Sequence, residues 1–355
     1  MFKNKKNLRV VVLFCLVVCL SCIIPLHAVC EPKFVFPLTF EDPFWGEGGI
    51  LALVFAKSVE EMTDGDVKIE IYSDDEWGGG EESYLENVQL GTMPMTLIAT
   101  SSISAYTSVL SAYDTPFLFR NIYQQMDFTF DSINELSPSV EELLKRAGEE
   151  AKCVFLALTP MGRRDIFSNK PINSIDDLKN LKIRTMLSPI QVKAFEALGA
   201  NVTPLAYGET YTGLQLKTID AMENSPSIYM QKRYFEVAPY WMGTRHYAVT
   251  MVLTMSKKAW ESLPQNYQAI IKDCAVRSAY IDGQWAIGNA EMSISTEIPK
   301  VTKKMVLLSD EEQNRLREKV LPVLLEEFGD VIGYDILEEL AAEDELIKGF
   351  LDSKK

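Results

Sequence analysis

The chain has 355 residues, with 47 % hydrophobic and 24 % charged, and 35 Lys+Arg stand against 50 Asp+Glu for a formal charge of −15. Such proportions exclude a disordered tail protein. The acid excess argues against nucleic acid or an anionic membrane surface as partner, since both need a basic footprint. The length predicts a large core divided between two domains.

Lys3, Lys5, Lys6 and Arg9 form a basic start without acids, and an apolar run from Val10 to Ile24 follows, ending in Pro25, Ala28 and Cys30. This order reads as a secretory signal peptide, residues 1–30, cleaved near Ala28 to Cys30. A retained membrane anchor is the alternative, but the run is short of the roughly 20 residues a spanning helix needs. A lipid-modified Cys22 is another, against which Cys19 stands where such signals usually carry Leu. Removing residues 1–28 takes away four positive charges and leaves 31 cations against 50 acids, a net −19. Cys15, Cys19 and Cys22 leave with the signal, so their CxxC spacing is not a redox or metal motif. Cys153 lies in an apolar strand and Cys274 in a helical stretch, and they read as two buried thiols, with a disulfide pair as the alternative that an exported compartment would allow.

Strand and helix patterns then alternate. Strands are expected at Lys33–Thr39, Val67–Tyr72, Met95–Ala99, Ala151–Leu158 and Leu181–Thr185, and helices at Gly49–Met62 and Leu85–Leu90. Ser139 and Glu142 have the spacing of a capping box opening a helix to Arg146, with Gly148 as its stop. Ile175–Leu181, Ile190–Leu198 and Gly208–Leu216 read as helices. The alternation predicts an α/β fold with mainly parallel sheets. Further on, Gln265–Met292 reads as one long helix, Ser309 and Glu312 open another, and Asp335–Phe350 is helical.

Support for catalysis is lacking. After signal removal His246 is the one histidine, and no GxSxG elbow, HExxH or paired-cysteine spacing occurs. Gly78–Gly80 lacks the GK[ST] of a phosphate loop, and Gly46-Glu-Gly48 lacks the third glycine of a dinucleotide fingerprint. No catalytic residue, metal or cofactor is expected, and His246 reads as structural or surface.

The informative stretch is Met161-Gly-Arg-Arg-Asp-Ile-Phe-Ser-Asn-Lys-Pro171, followed by Ile175-Asp-Asp-Leu-Lys-Asn-Leu-Lys-Ile-Arg184. Ala197-Leu-Gly-Ala-Asn-Val-Thr-Pro204, Tyr207-Gly-Glu-Thr-Tyr-Thr-Gly-Leu-Gln215 and Ile219-Asp-Ala-Met-Glu-Asn-Ser-Pro226 continue it, with Asp114-Thr-Pro-Phe-Leu-Phe-Arg120 upstream. In this order and spacing the blocks closely resemble the DctP-type solute-binding subunit of tripartite ATP-independent periplasmic (TRAP) transporters, over about Lys33 to Val320.

The resemblance implies a type II-like, two-domain periplasmic-binding-protein fold with a cleft. Domain I would hold 31–160 with about 248–285, domain II 161–247 with about 293–355, and the helix 265–292 would bridge them. It implies capture of a small organic anion and delivery to the small and large membrane subunits of a TRAP transporter, by a periplasmic protein acting as a monomer. In this family an arginine of the Asp-Leu-Lys-x-Leu-Lys-Ile-Arg block forms a two-pronged salt bridge with the ligand's carboxylate, and here it is Arg184. A planar guanidinium matches a carboxylate with two parallel N–H donors, which a lysine cannot do. The second family arginine maps to Arg164 rather than Arg163, the carboxylate-binding asparagine to Asn224, and an aromatic over the ligand to Tyr207. Selectivity is expected from the first domain, with Glu81, Thr100 and Trp45 as candidates beside Phe44 and Ser101. Ala221 and Tyr207 depart from the common family pattern, so a ligand is not borrowed from a relative. A monocarboxylate or sugar acid is the first expectation; a dicarboxylate, aromatic acid or sulfonate stays open. The alternatives are a periplasmic enzyme on carboxylates, which would need His246 or Glu209 as base, and a ligand sensor.

Overall fold

In the computed structural model, residues 31–46 and 48–355 are described; the expected signal peptide lies outside them. Among these residues no helix is long and apolar enough to cross a membrane. The strands are β1 (Phe34–Thr39), β2 (Val67–Tyr72), β3 (Met95–Ala99), a small hairpin of β4 (Phe130–Ser132) and β5 (Glu135–Leu136), β6 (Cys153–Ser168), β7 (Lys182–Thr185), β8 (Asn201–Pro204), β9 (Ala221–Asn224), β10 (Tyr240–Ser256) and β11 (Lys304–Leu307). Nine of them form one sheet in the order β2-β1-β3-β10-β6-β9-β7-β8, with β11 added to β10.

Two long antiparallel strands organise this sheet. The β6–β10 ribbon carries β3 on Met251–Met255 of β10 at one end. At the other end it carries β9 on Asp165–Ser168 of β6 and β11 on Tyr240–Gly243 of β10. Its register shifts between Met242 and Tyr247 and again between Ala248 and Thr250. Arg245 there adopts φ 46°. Bulges of this kind bend a ribbon and re-aim its side chains, and here they leave Arg164 opposite Tyr247.

Each half of the sheet repeats one plan. β1 lies between β2 and β3, parallel to both. β7 lies between β8 and β9, parallel to both. In such sheets the chain reverses its winding at the middle strand, and a crevice opens beyond its carboxyl end. The sheet is mixed: five of its eight strand pairings are parallel, while β6 runs antiparallel to β10 and β9, and β10 to β3.

Helices cover the faces. Gly49–Met62 starts at Gly48, whose φ of 85° and whose closeness to Leu97 exclude a side chain. One of its N-terminal amides is met from far along the chain. Asp282, fully buried in the helix Gln265–Met292, accepts the Leu51 amide at 3.1 Å and the Thr159 hydroxyl at 3.1 Å. One acid thus ties the long helix both to β6 and to the first crossover helix. Past Met292 the chain continues into a second hydrophobic core through Ile294 and Ile298. That core centres on Phe167 stacked on Trp241, centroids 5.5 Å apart, a contact worth about 0.5–1.5 kcal/mol beyond its area.

The helix Asp310–Ile332 opens with the expected reciprocal box of Ser309 and Glu312 and packs on the helix Pro189–Ala197. The acidic end forms two helices, Tyr334–Ala341 and Glu345–Ser353, broken where Asp344 caps the second by accepting the Leu346 and Ile347 amides. Cys153 and Cys274 are buried and unbridged.

Several local expectations need correction. The box at Ser139 does not form, because Pro138 opens the helix Pro138–Glu150 two residues earlier, behind Ser137. Gly148 lies inside that helix, where a Cβ would come 3.0 Å from the Cys153 carbonyl, so it serves close packing and not a stop. Ile175–Leu178 is one 3-10 turn, boxed by Ser174 and Asp177, and strand β7 follows too soon for a full helix.

Candidate ligand-binding site

The carboxyl ends of β1 and β7 face one cavity. Glu41, Asp42, Glu81 and Ala99 line it from the β1 side, and Arg184, Met186 and Tyr207 from the β7 side. Arg164, Asn224, Val249 and Met251 close it along β6, β9 and β10.

Arg184 is only 2 % exposed. Its Nε donates to the Leu205 carbonyl at 2.8 Å, which fixes the plane of the guanidinium. Its Nη1 and Nη2 make no hydrogen bond or ion pair to a described residue. Burial pushes its proton affinity down, and Glu223 offsets this in part. A buried cation whose two-pronged end lacks a partner is costly to keep, and an entering carboxylate matches it.

Arg164, also buried, is already matched. Its Nε and Nη2 embrace the Glu223 carboxylate, the Nη2 contact being 2.8 Å, and Nη2 also donates to the Glu223 carbonyl. The His246 Nε2 lies 3.5 Å from Glu223, and the His246 Nδ1 pairs with the Thr244 hydroxyl at 2.8 Å. Burial alone would raise the Glu223 carboxyl, but Arg164 and His246 outweigh it and hold it well below the usual carboxylate range. Arg164 Nη1 donates to Asn224 Oδ1 at 3.0 Å, and the Ser225 amide donates to the same oxygen. The Asn224 amide is thereby oriented: its oxygen is taken, and its Nδ2 donates to no described residue. Glu223 thus fixes Arg164, which fixes Asn224, beside the unmatched Arg184.

The opposite wall is acidic. Glu81 opens the helix Gly80–Leu90 and accepts the Ala99 amide at 3.1 Å and the Ser102 hydroxyl. Burial, then the Glu41 charge, pushes it up to about 8. Burial, together with Asp42, Asp75 and Glu82, pushes Glu41 up to about 7, against an amide hydrogen bond from Glu81. A Cβ added at Gly80 on its own half, or at Gly208 on the other, would come 3.7 Å from a Glu41 carboxylate oxygen.

Beyond the cavity the two sides also touch. Asp114 accepts from the Ser188 hydroxyl and from Gln191 Nε2 at 2.6 Å, and Gln191 Nε2 lies 2.7 Å from the Tyr247 hydroxyl. Burial lifts Asp114 to about 7, against the bonds from Ser188 and Gln191.

Of the residues expected at the site, Arg184, Arg164, Asn224, Tyr207 and Glu81 come together around one cavity. Thr100 is buried just behind it, its amide bonded to the Thr250 carbonyl at 3.0 Å. Trp45 is a correction: its side chain is 65 % exposed and lies outside the lining, because the turn that carries it swings outward and only its carbonyl meets Gln231. Glu41, Asp42, Met186 and Glu223 were not anticipated. The signal for Glu41 and Asp42 was there: they follow an apolar strand directly, where a crevice opens. A wider hollow of about 260 Å³ holds Arg120, Arg163 and Arg245, but Asp344, Asp165 and Asp310 already pair with these.

Known proteins resemble the chain along most of its length. The 2,3-diketo-L-gulonate-binding periplasmic protein YiaO of Escherichia coli K12 is 30 % identical over 233 residues, 65 % of this chain and 69 % of that protein. The C4-dicarboxylate-binding periplasmic protein DctP of Vibrio cholerae is 26 % identical over 307 residues, 83 % and 86 % of the two chains. The crystal structure of a TRAP periplasmic solute-binding protein of Polaromonas sp. JS666, bound to D-erythronate, superposes with a TM-score of 0.78 at 25 % identity, covering 88 % of this chain and 100 % of that one. It shares the two-domain α/β fold. The family profile described as bacterial extracellular solute-binding protein, family 7, matches residues 48–329, and the chain belongs to that DctP family of solute-binding proteins.

Proposed function

We propose that this protein captures a small organic anion outside the cytoplasm and passes it to the small and large membrane subunits of a TRAP transporter. The observation that carries the reading is Arg184: a buried guanidinium, fixed at Nε and unmatched at both Nη atoms. In the bound state those atoms grip the ligand's carboxylate in parallel, Asn224 Nδ2 adds a third donor, and Tyr207 packs over it. Arg164 supports Asn224 from behind rather than acting as the primary grip.

The units that close on the ligand are 31–160 with about 248–285, and 161–247 with about 293–355. The bulged β6–β10 ribbon would be the hinge and the helix Gln265–Met292 the bridge between them. Closure follows from differential affinity, since only the closed form brings the acidic wall and Arg184 to one ligand.

Binding without turnover is favoured because His246 and Glu209, the bases first considered, do not line the cavity. The test is a thermal-shift screen over organic acids, followed by chemical recovery of any hit. A ligand of the folded state raises the melting temperature. The reading expects a hit that Arg184→Ala abolishes and that is recovered unaltered. A converted product would make the protein an enzyme, and a shift that survives Arg184→Ala would end the assignment of the grip.

A further inference from the structure

We infer that Asp114 is a positioning residue for capture: from the first half of the chain it latches the start of the helix Pro189–Ala197, and so holds the segment that follows Arg184 in the closed arrangement without touching the ligand. This rests on the proposed capture of an anion by closure and names the contact that sets how long the closed form lasts.

Ser188 occupies the N-cap position of the helix Pro189–Ala197, yet its hydroxyl caps no amide of that helix. It donates instead to Asp114, 74 residues earlier in the chain. Gln191, the third residue of the helix, donates through Nε2 to the other Asp114 oxygen at 2.6 Å. An acid from the first half thus stands at the positive end of a helix of the second, where a cap of its own is missing. Asp114, Ser188 and Gln191 are each at most 2 % exposed. None of the three lines the ligand cavity.

The latch is nonetheless close to the grip. Ser188 follows Arg184 by four residues, with Met186 of the cavity lining between them. The Met186 Sδ accepts the Ser101 hydroxyl of the first half at 3.1 Å. The segment 184–191 is therefore met from the first half at two points, Ser101 and Asp114. Gln191 Nε2 also donates to the Tyr247 hydroxyl at 2.7 Å. The Tyr247 ring lies 5.6 Å from the Arg164 guanidinium, which orients Asn224.

The contact is suited to release. Its bonds are polar throughout, and Gln191 Oε1 is buried without a described donor. Burial pushes Asp114 up to about 7, with Glu223 adding to it and Ser188, Gln191 and Arg164 opposing. A desolvated acid and an unmet carbonyl cost free energy that water relieves as the halves part. A latch so nearly balanced leaves closure to the ligand's differential affinity.

The test measures D-erythronate, D-galacturonate, L-malate and succinate by calorimetry and stopped-flow dissociation at pH 7. Asp114→Ala and Gln191→Ala should each weaken the tightest of the four by about tenfold, chiefly through faster dissociation. The double variant should lose no more than either single one, because both remove one contact. The order of the four acids should stay that of the wild type, and Asp114→Asn, which keeps an acceptor, should recover part of the loss. Gln191→Ala carries the test if Asp114→Ala fails to fold. Unchanged dissociation in the single variants, or losses that add in the double variant, would overturn the latch and leave the Arg184 grip standing. A changed order among the acids would make Asp114 a ligand contact and not a latch. Binding of none of the four by the wild type would remove the capture reading and the latch with it.

Discussion

The two middle strands, β1 and β7, make a controlled comparison within one molecule. Each is flanked by parallel neighbours on both sides, and each ends at the same cavity. Beyond β1 the chain places Glu41 and Asp42; at the end of β7 it places Arg184. Equal topology with opposite charge separates what the fold sets, the place of the cavity, from what a few residues past each strand set, the charge of its walls. The ways the charges are held differ as well. Arg164 has a full counter-ion in Glu223, whereas Arg184 has a carbonyl at Nε and, among the described residues, no partner at its fork. On the proposed reading the first is structural and the second meets the ligand.

The largest expected effect separates those two arginines. Glu223→Ala leaves Arg164 buried without its counter-ion and should destabilise the protein by about 3–5 kcal/mol in denaturant unfolding. Arg184→Ala removes an unmatched buried cation, so its unliganded stability should stay level or rise. Equal losses in both variants would erase the distinction between a matched and a waiting arginine.

Next comes pH, where the two sides should respond with opposite sign. Glu41 and Glu81 are raised above their ordinary 4.5, to about 7 and about 8. They favour the folded state while protonated, so their contribution is complete below about pH 4.5 and is lost as pH rises toward 8. Glu223 is lowered, so its contribution is present above pH 4.5 and is lost on acidification. Stability of the unliganded protein should therefore fall between pH 5 and about 8, and Glu41→Gln with Glu81→Gln should flatten that fall. A wild-type profile that rises over this range would contradict the raised values.

The smallest effect concerns the hydrogen bond that holds Glu81 in the wall. Ser102→Ala should cost about 1 kcal/mol of stability and raise the Glu81 carboxyl further, which carbon-detected titration of its side chain would register. No change in that titration would mean that Ser102 does not hold the acid.

Much of this was readable from residue order, and the gaps have physical causes. Arg184, Asn224 and Tyr207 were reached through the blocks that resemble the DctP-type family, and the structure brings the three to one cavity. Glu223 was not, because its significance depends on Arg164, 59 residues earlier, and a single sequence shows no pairing across a sheet. Strand β10 was missed because Gly243, Arg245 and His246 interrupt its apolar pattern at the bulge that makes it useful. Trp45 misled because an aromatic residue after a strand is expected inward, while this turn exposes it. The failed capping box at Ser139 shows a stronger local rule winning: a proline at the first helical position moves the start.

The central claim is that Arg184 grips a carboxylate with both Nη atoms. Calorimetric titration of the best organic acid into the wild type and Arg184→Lys tests it most directly, since lysine keeps the charge and loses the fork. The account predicts affinity at least about tenfold weaker for the lysine variant, roughly 1.4 kcal/mol. Unchanged affinity would contradict it.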